Sequence, residues 1–229
     1  MYFHSSVHPL HLPHMRFSQL LLYQLGVQLY GASIYVASFF YPKAKLWIEG
    51  RKNWQSKISS IKNCSGKRLW FHCASLGEFE QARPLIEKYA EDKTQYAIIV
   101  TFFSPSGYEV RKNHTSVDVV TYLPLDTPQN AKEFIDILKP DVSLFVKYEF
   151  WYNYLNELNR RKIPTVLFSS IFRKDQIFFK RYGGLFKEML EMFTKIFVQS
   201  KASQDLLSAI HLESEVAFDT RFDRVYQIA

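Results

Sequence analysis

The sequence predicts an α/β fold: a parallel sheet covered by helices on both faces and preceded by an N-terminal membrane-anchor helix. Three observations carry this. Short runs rich in Val, Ile and Phe recur along the chain, separated by segments of helical length and polarity, the pattern of strands buried on both faces. The stretch from Phe17 to Pro42 holds no charged residue. An apolar fraction of 47% with 22% charged residues, in 229 residues, is ample for a packed core.

Residues 1–16 read as a disordered leader carrying His4, His8, His11 and His14, with Met15 as an alternative start. Residues 17–42, FSQLLLYQLGVQLYGASIYVASFFYP, form the expected anchor, long enough to cross a bilayer, which takes about 20 residues. Gln19, Gln24 and Gln28 lower its hydrophobicity and leave an interfacial or re-entrant helix open. Its apolar run is too long for a signal-peptide core. Lys43, Lys45, Arg51, Lys52 and Lys57 follow it while Arg16 stands alone before it, which puts the bulk of the protein on the cytoplasmic side.

The next stretch, KAKLWIEGRKNWQSKISSI, reads as one basic amphipathic helix near the membrane. Strands are then expected at 68–73, 96–102, 117–123, 141–147, 164–169 and 195–200, with helices at 78–91, 127–138, 150–161 and 201–210. Residues 43–218 thus make one α/β domain. Pro84 falls inside the first helical pattern and marks an irregular turn. In TYLPLDTPQN, Asp126 or Thr127 is placed to cap the helix that follows.

The formal charge of +7 favours an anionic partner. Between Arg160 and Lys187 there are eight basic residues and one acid, interleaved with Phe168, Phe172, Phe178, Phe179, Tyr182 and Phe186. Such interleaving suits stacking on bases or contact with lipid headgroups. With no nucleic-acid motif elsewhere, the expected partner is an anionic membrane surface and not nucleic acid. The two cysteines, Cys64 and Cys73, have neither disulfide-framework nor zinc-ligand spacing.

In an open parallel sheet, ligands bind beyond the carboxyl ends of the strands. Glu78 follows the strand at 68–73 through Ala74, Ser75, Leu76 and Gly77, and Glu149 follows the strand at 141–147. Each acid has two readings: a cap or ion pair at a helix start, favoured there by the helix dipole, or a catalytic carboxylate on the rim of a cleft. The chain contains no G-x-G-x-x-G, P-loop or G-x-S-x-G motif. SPSGYE (104–109) and RYGG (181–184) read as loop or phosphate-contact candidates, with Gly183 and Gly184 at a helix boundary.

FHCASLGEFEQARPLIE, YLPLDTPQNAKEFI, KYEFWYN, SSIFRKDQIFFKRYGG, FVQSKASQDLL and DTRFDRV occur here in one order. Together they closely resemble the amino-terminal half of 3-deoxy-D-manno-octulosonic acid (Kdo) transferases, over most of residues 17–226. The resemblance implies a Rossmann-like domain, the acceptor-binding half of a GT-B glycosyltransferase at the cytoplasmic face of the bacterial inner membrane. It implies transfer of Kdo from CMP-Kdo to a lipid A precursor with inversion, without a metal or other cofactor. The family's S-x-G-E motif falls on Ser75, Leu76, Gly77 and Glu78, making Glu78 the general base. Its second acid falls on Glu149 and its basic residue on Arg221, both as transition-state stabilisers. Ser75, Gly77, Arg173 and Lys174 are the expected substrate contacts. Two departures stand out. Phe218 occupies a position that is usually Gly in the family. Residues 219–229 begin an interdomain connection with no donor-binding domain after it, so the chain by itself is expected to show little or no turnover.

Overall fold

The computed structural model describes residues 13–63 and 66–217. Residues 1–12, Cys64, Phe218 and Arg221 lie outside the described residues, and so does most of the expected leader. The chain opens with α1 (Pro13–Ala37), α2 (Pro42–Gly50) and α3 (Trp54–Ser59). Strands and helices then alternate: β1 (Lys67–Cys73), α4 (Leu76–Ala90), β2 (Tyr96–Phe102), α5 (Pro105–Arg111), β3 (Val119–Tyr122), α6 (Pro128–Leu138) and β4 (Val142–Val146). They continue as α7 (Tyr152–Arg160), β5 (Thr165–Ser170), α8 (Gly184–Glu191), β6 (Lys195–Val198), α9 (Lys201–Ser208) and β7 (Glu215–Val216). All strand pairs are parallel, in the order β3-β2-β1-β4-β5-β6-β7.

Strand alternation sorts side chains onto two cores. Leu69, Phe71 and Cys73 of β1, with Ile98, Val100 and Phe102 of β2, pack against Phe79, Ala82 and Ile86 of α4. Trp70, Ile99 and Phe145 point the other way, against Phe134 of α6, Tyr154 and Leu158 of α7, and Leu190 of α8. Each of the six expected strands is present. β7 was not expected, since two exposed residues carry no burial pattern.

Three differences from the sequence reading have local causes. SPSGYE is not a loop but the start of α5: Ser104 accepts the Ser106 N–H, and Pro105 supplies a helical φ at the first position. The basic stretch after the anchor is two helices, broken where Asn53 adopts a left-handed φ of 55°. Just before that break, Arg51 turns inward. It donates to the carbonyls of Leu123 (2.8 Å), Phe103 (2.8 Å) and Trp47 (3.1 Å) and lies 3.5 Å from the Trp47 ring centroid. Burial pulls its pKa down to about 9, so Arg51 is a core cation and not part of the positive flank. Finally, α1 reaches back to Pro13, within the segment assigned to a leader, and ends at Ala37. Pro42 opens the next helix and holds Tyr41 extended (φ −122°, ψ 120°), as a residue before proline prefers.

The aromatics of the basic segment 160–187 also need correction. Phe168, Phe172 and Phe178 are buried, and Phe179 and Phe186 pack against the core, so these rings cannot stack on bases. Only Tyr182 is exposed. Arg160 and Arg161 are held by Glu157.

α1 lies against the domain with its polar side inward. Gln24 Nε2 donates to Asn153 Oδ1 (2.7 Å), and Gln19 exchanges hydrogen bonds with the Tyr182 carbonyl (3.2 Å) and the Leu185 N–H (3.0 Å). At Gly31 a Cβ would come within 2.7 Å of a terminal methyl of Leu125, so a larger residue there would require the Leu125 side chain to move. Phe17, Leu21, Leu22, Leu25, Leu29 and Val36 face outward and are more than half exposed.

The docking centres on Asp126, which is fully buried. Its carboxylate accepts the N–H groups of Asn153 (3.1 Å) and Tyr154 (3.1 Å) in the first turn of α7, and the Tyr23 hydroxyl (2.6 Å) from α1. Tyr23 in turn accepts the Tyr152 N–H (3.1 Å). Thr127 caps α6, as one of the two expected residues, accepting the Asn130 N–H, while Asp126 caps α7 instead. Burial raises the Asp126 carboxyl to about 6 despite these donors. Asp126→Ala leaves several buried donors unpaired, and a loss of roughly 3 kcal/mol in unfolding free energy is expected. Urea titration of wild type and variant checks it; a loss under about 1 kcal/mol would show that α7 is held by packing alone.

Candidate active site

Both acids stand at the centre of the sheet. From β1 the chain moves outward to β2 and β3, then returns to pair β4 on the other side of β1. The strand order therefore reverses between β1 and β4, the position where open α/β sheets form a ligand crevice. Glu78 follows β1 and Glu149 follows β4, so they flank this switch point.

Glu78 is the third residue of α4, whose first turn begins at Ser75. Ser75 and Glu78 form a capping box, and Glu78 Oε2 accepts the N–H groups of Ala74 and Ser75. Oε1 accepts no hydrogen bond among the described residues. The side chain is half-buried at the rim. Burial raises the Glu78 pKa to about 7, helped by the negative charge of Glu149 and opposed by the two N–H groups and Lys147. Gly77 is exposed, and a Cβ there would meet nothing within 4 Å, so the surface beside Glu78 is open.

Glu149 is buried by contrast, with two donors converging on its Oε2. Trp151 Nε1 donates at 2.7 Å and His72 Nε2 lies at 3.0 Å. A carboxylate oxygen only accepts, so His72 Nε2 carries the hydrogen pointed at Glu149. Trp70 Nε1 donates to Thr101 Oγ1 (2.8 Å), and the Thr101 hydroxyl lies 2.8 Å from His72 Nδ1. A chain of three side chains from the sheet interior, Trp70, Thr101 and His72, thus orients the second acid. His72 and Thr101 are register partners across β1 and β2. The sequence reading did not single them out; the available signal was a lone polar residue in the apolar run RLWFHC, on the same face as Trp70.

Lys147, between β4 and Glu149, has a left-handed φ of 60°, and Ser169 at the end of β5 has 57°. Non-glycine residues in that region are uncommon and cluster at functional sites. Arg173 and Lys174 are exposed on the loop after β5, on the same sheet edge, with no ion pair among the described residues. Nothing joins them directly to either acid. RYGG ends at the start of α8, with Gly183 at its N-cap. Among the described residues no three His, Cys, Asp or Glu side chains are grouped to hold a metal.

The domain is thus a Rossmann-like parallel sheet with two acids at its switch point. Solved structures agree on the fold. UDP-N-acetylglucosamine 2-epimerase from Rickettsia bellii superposes with a TM-score of 0.54 at 14% identity, covering 71% of this chain and 48% of that one. The epimerase from Neisseria meningitidis gives 0.53 at 13% identity, covering 70% and 49%. The chain belongs to the 3-deoxy-D-manno-octulosonic-acid transferase (Kdo transferase) family, whose amino-terminal model matches residues 52–224. A Kdo transferase of Aquifex aeolicus is 40% identical over 93 residues, 40% of this chain and 25% of that protein. One from Haemophilus influenzae is 32% identical over 142 residues, 61% and 32% respectively. The chain therefore spans about a quarter to a third of the length of these relatives. Family and fold class agree with the sequence reading.

The electrostatic coupling gives a direct test. In wild type, the Glu78 carboxyl is expected to titrate with a midpoint near 7, followed by carbon-13 NMR of labelled glutamate. Glu149→Gln removes the neighbouring charge and is expected to move that midpoint down by at least half a pH unit. A midpoint unmoved in the variant would show that burial alone raises it.

Proposed function

We propose that this chain is the acceptor-side domain of a glycosyltransferase that moves Kdo from CMP-Kdo to a hydroxyl of a lipid A precursor, with inversion. The observation that carries this reading is a half-exposed carboxyl at the switch point whose pKa is raised to about 7. A base with that pKa is about half ionised at neutral pH and is a competent proton acceptor. Oε2 is tied to the α4 backbone, which leaves Oε1 to take the proton of the acceptor hydroxyl. As the hydroxyl oxygen bonds to the anomeric carbon, the bond to the CMP phosphate breaks and its electron pair leaves with CMP. Glu149, held by His72 and Trp151, opposes the positive charge that develops at the anomeric centre, and it also raises the basicity of Glu78. Arg173 and Lys174 would meet phosphates of the acceptor. Arg221, the expected third stabiliser, lies outside the described residues.

The membrane reading rests on α1. Its outward leucines are exposed, while Gln19 and Gln24 are used against the domain. Contact with the domain runs from Gln19 to Gly31, about 18 Å of helix at 1.5 Å per residue. A helix crossing the hydrocarbon would be surrounded by lipid over that length. The docking supports a helix lying in the interface, its leucines among the acyl chains, at the cytoplasmic face of the inner membrane.

Two outcomes test these readings. Expressed from the gene's complete reading frame, Glu78→Gln is expected to lower transfer about 1,000-fold with folding unchanged. Turnover within tenfold of wild type would remove Glu78 from the role of base. In flotation with anionic vesicles, binding is expected to persist in 1 M salt, where charge attraction is screened. The combined change Leu22→Glu, Leu25→Glu and Leu29→Glu is expected to abolish it. Salt-sensitive binding that survives this change would assign attachment to the basic surface instead.

A further inference from the structure

An apolar groove of about 380 Å³ separates α1 from the carboxyl edge of the sheet. This volume is within the range of small-molecule sites. Gly26, Val27 and Tyr30 of α1 form one wall, and Phe103, Leu125 and Trp151 form much of the other. These wall residues come from the loops that follow β2, β3 and β4, the edge that carries Glu78 and Glu149. Trp151 stacks on Phe103 with ring centroids 4.5 Å apart.

Three observations define the occupant. Two of the polar groups at the groove are already used, the Tyr23 hydroxyl on Asp126 and Trp151 Nε1 on Glu149, and the other side-chain hydroxyl is that of Tyr30, which is 42% exposed. The rest of the lining is hydrocarbon and aromatic, which suits an acyl chain better than a ligand with many polar groups to satisfy. Next, the groove is continuous with the outward face of α1. Gly26 lies one helical turn from Leu22 and one residue from Leu25, both more than half exposed. A Cβ on Gly26 would meet nothing within 4 Å, so the glycine leaves a gap in the helix surface between the leucines and the groove. Finally, the opposite wall is Trp151, whose indole N–H holds the second acid. One end of the groove therefore meets the apolar face and the other meets the site.

We propose that this groove binds one acyl chain of the lipid acceptor, drawn from the bilayer past Gly26, so that the attached sugar is presented to Glu78. This rests on the reading of the acceptor as an acylated, phosphorylated disaccharide, and it adds where one of its chains lies. The groove is then a substrate-binding site that ties membrane docking to positioning of the hydroxyl.

Trp151 is the reporter, because Trp47, Trp54 and Trp70, the other three of the four tryptophans, are buried. The chain is mixed with phosphatidylcholine–phosphatidylglycerol vesicles holding a small fraction of dibrominated probe lipid, and tryptophan fluorescence is read. One probe is dibromoacyl phosphatidylglycerol; the other is a dibromoacylated glucosamine disaccharide bisphosphate. The disaccharide probe is expected to quench at least twofold more strongly at equal mole fraction. Trp151→Phe is expected to remove that difference. Gly26→Leu, whose Cβ meets nothing within 4 Å and which favours helix, is expected to remove it as well, while Gly26→Ala retains it and vesicle flotation is unchanged in both. Equal quenching by the two probes, or a difference that survives Gly26→Leu, would overturn the proposal. The readout needs no donor and no turnover. Intact quenching together with no Kdo transfer by the protein expressed from the gene's complete reading frame would sink the transferase reading and leave the groove standing; transfer without quenching would do the reverse.

Discussion

The arrangement of this domain depends on one buried carboxylate. Asp126 sits at the end of the β3 connection, yet its hydrogen bonds go to the first turn of α7 and to Tyr23 of α1. A helix start leaves N–H groups without intrahelical partners, and a buried carboxylate needs donors. Each satisfies the other. The consequence is positional: the segment just before α7 carries Glu149 and Trp151, and fixing the α7 N-terminus fixes where they emerge. The same carboxylate fixes α1 through Tyr23. Anchor and active-site rim are thus referred to a single point, and neither can shift without exposing the other's unpaired groups.

That coupling explains an otherwise odd feature of α1. With Gln19 and Gln24 against the protein and most of its leucines in the open, α1 departs from the usual order for water-soluble helices. In water the exposed leucines would be costly, whereas at a lipid surface they are matched. The inward glutamines and Tyr23 give the docking direction and register, which apolar packing alone would supply weakly. In the proposed interfacial setting, a helix set in this way would hold the edge of the sheet at a defined depth relative to the bilayer.

Much of this was legible in the chain itself. Strands such as YAIIVTF announced themselves because burial on both faces leaves no polar interruption, and the observed β2 has those bounds. The two rim acids were legible as positions after strands. What stayed hidden was non-local. SPSGYE looks like a loop because Pro, Ser and Gly favour loops, although the same residues also start helices. Asp126 looked like a cap for the helix next to it, and only tertiary contact shows that it caps one about 25 residues later. Arg51 looked like a membrane-flanking cation; nothing local reveals the carbonyls of Phe103 and Leu123 that draw it inward. The phenylalanines of 160–187 looked like a surface pattern because a core without strict period resembles interleaving.

Glu78 as helix cap and Glu78 as the proposed base are compatible readings, because its two oxygens have different surroundings. A carboxylate accepting backbone N–H groups at a helix start ordinarily has a depressed pKa, because those donors favour the charged form. Here the shift runs the other way, since partial burial and the charge of Glu149 outweigh the donors. Capping therefore does not exhaust the side chain. It immobilises Oε2, selects one rotamer and aims Oε1 away from the backbone. An acid that served only to start α4 would gain nothing from a second carboxylate placed nearby, which weakens its ionised form. The repulsion is a cost to the folded domain, and it makes sense at a position where proton affinity near neutrality has a use.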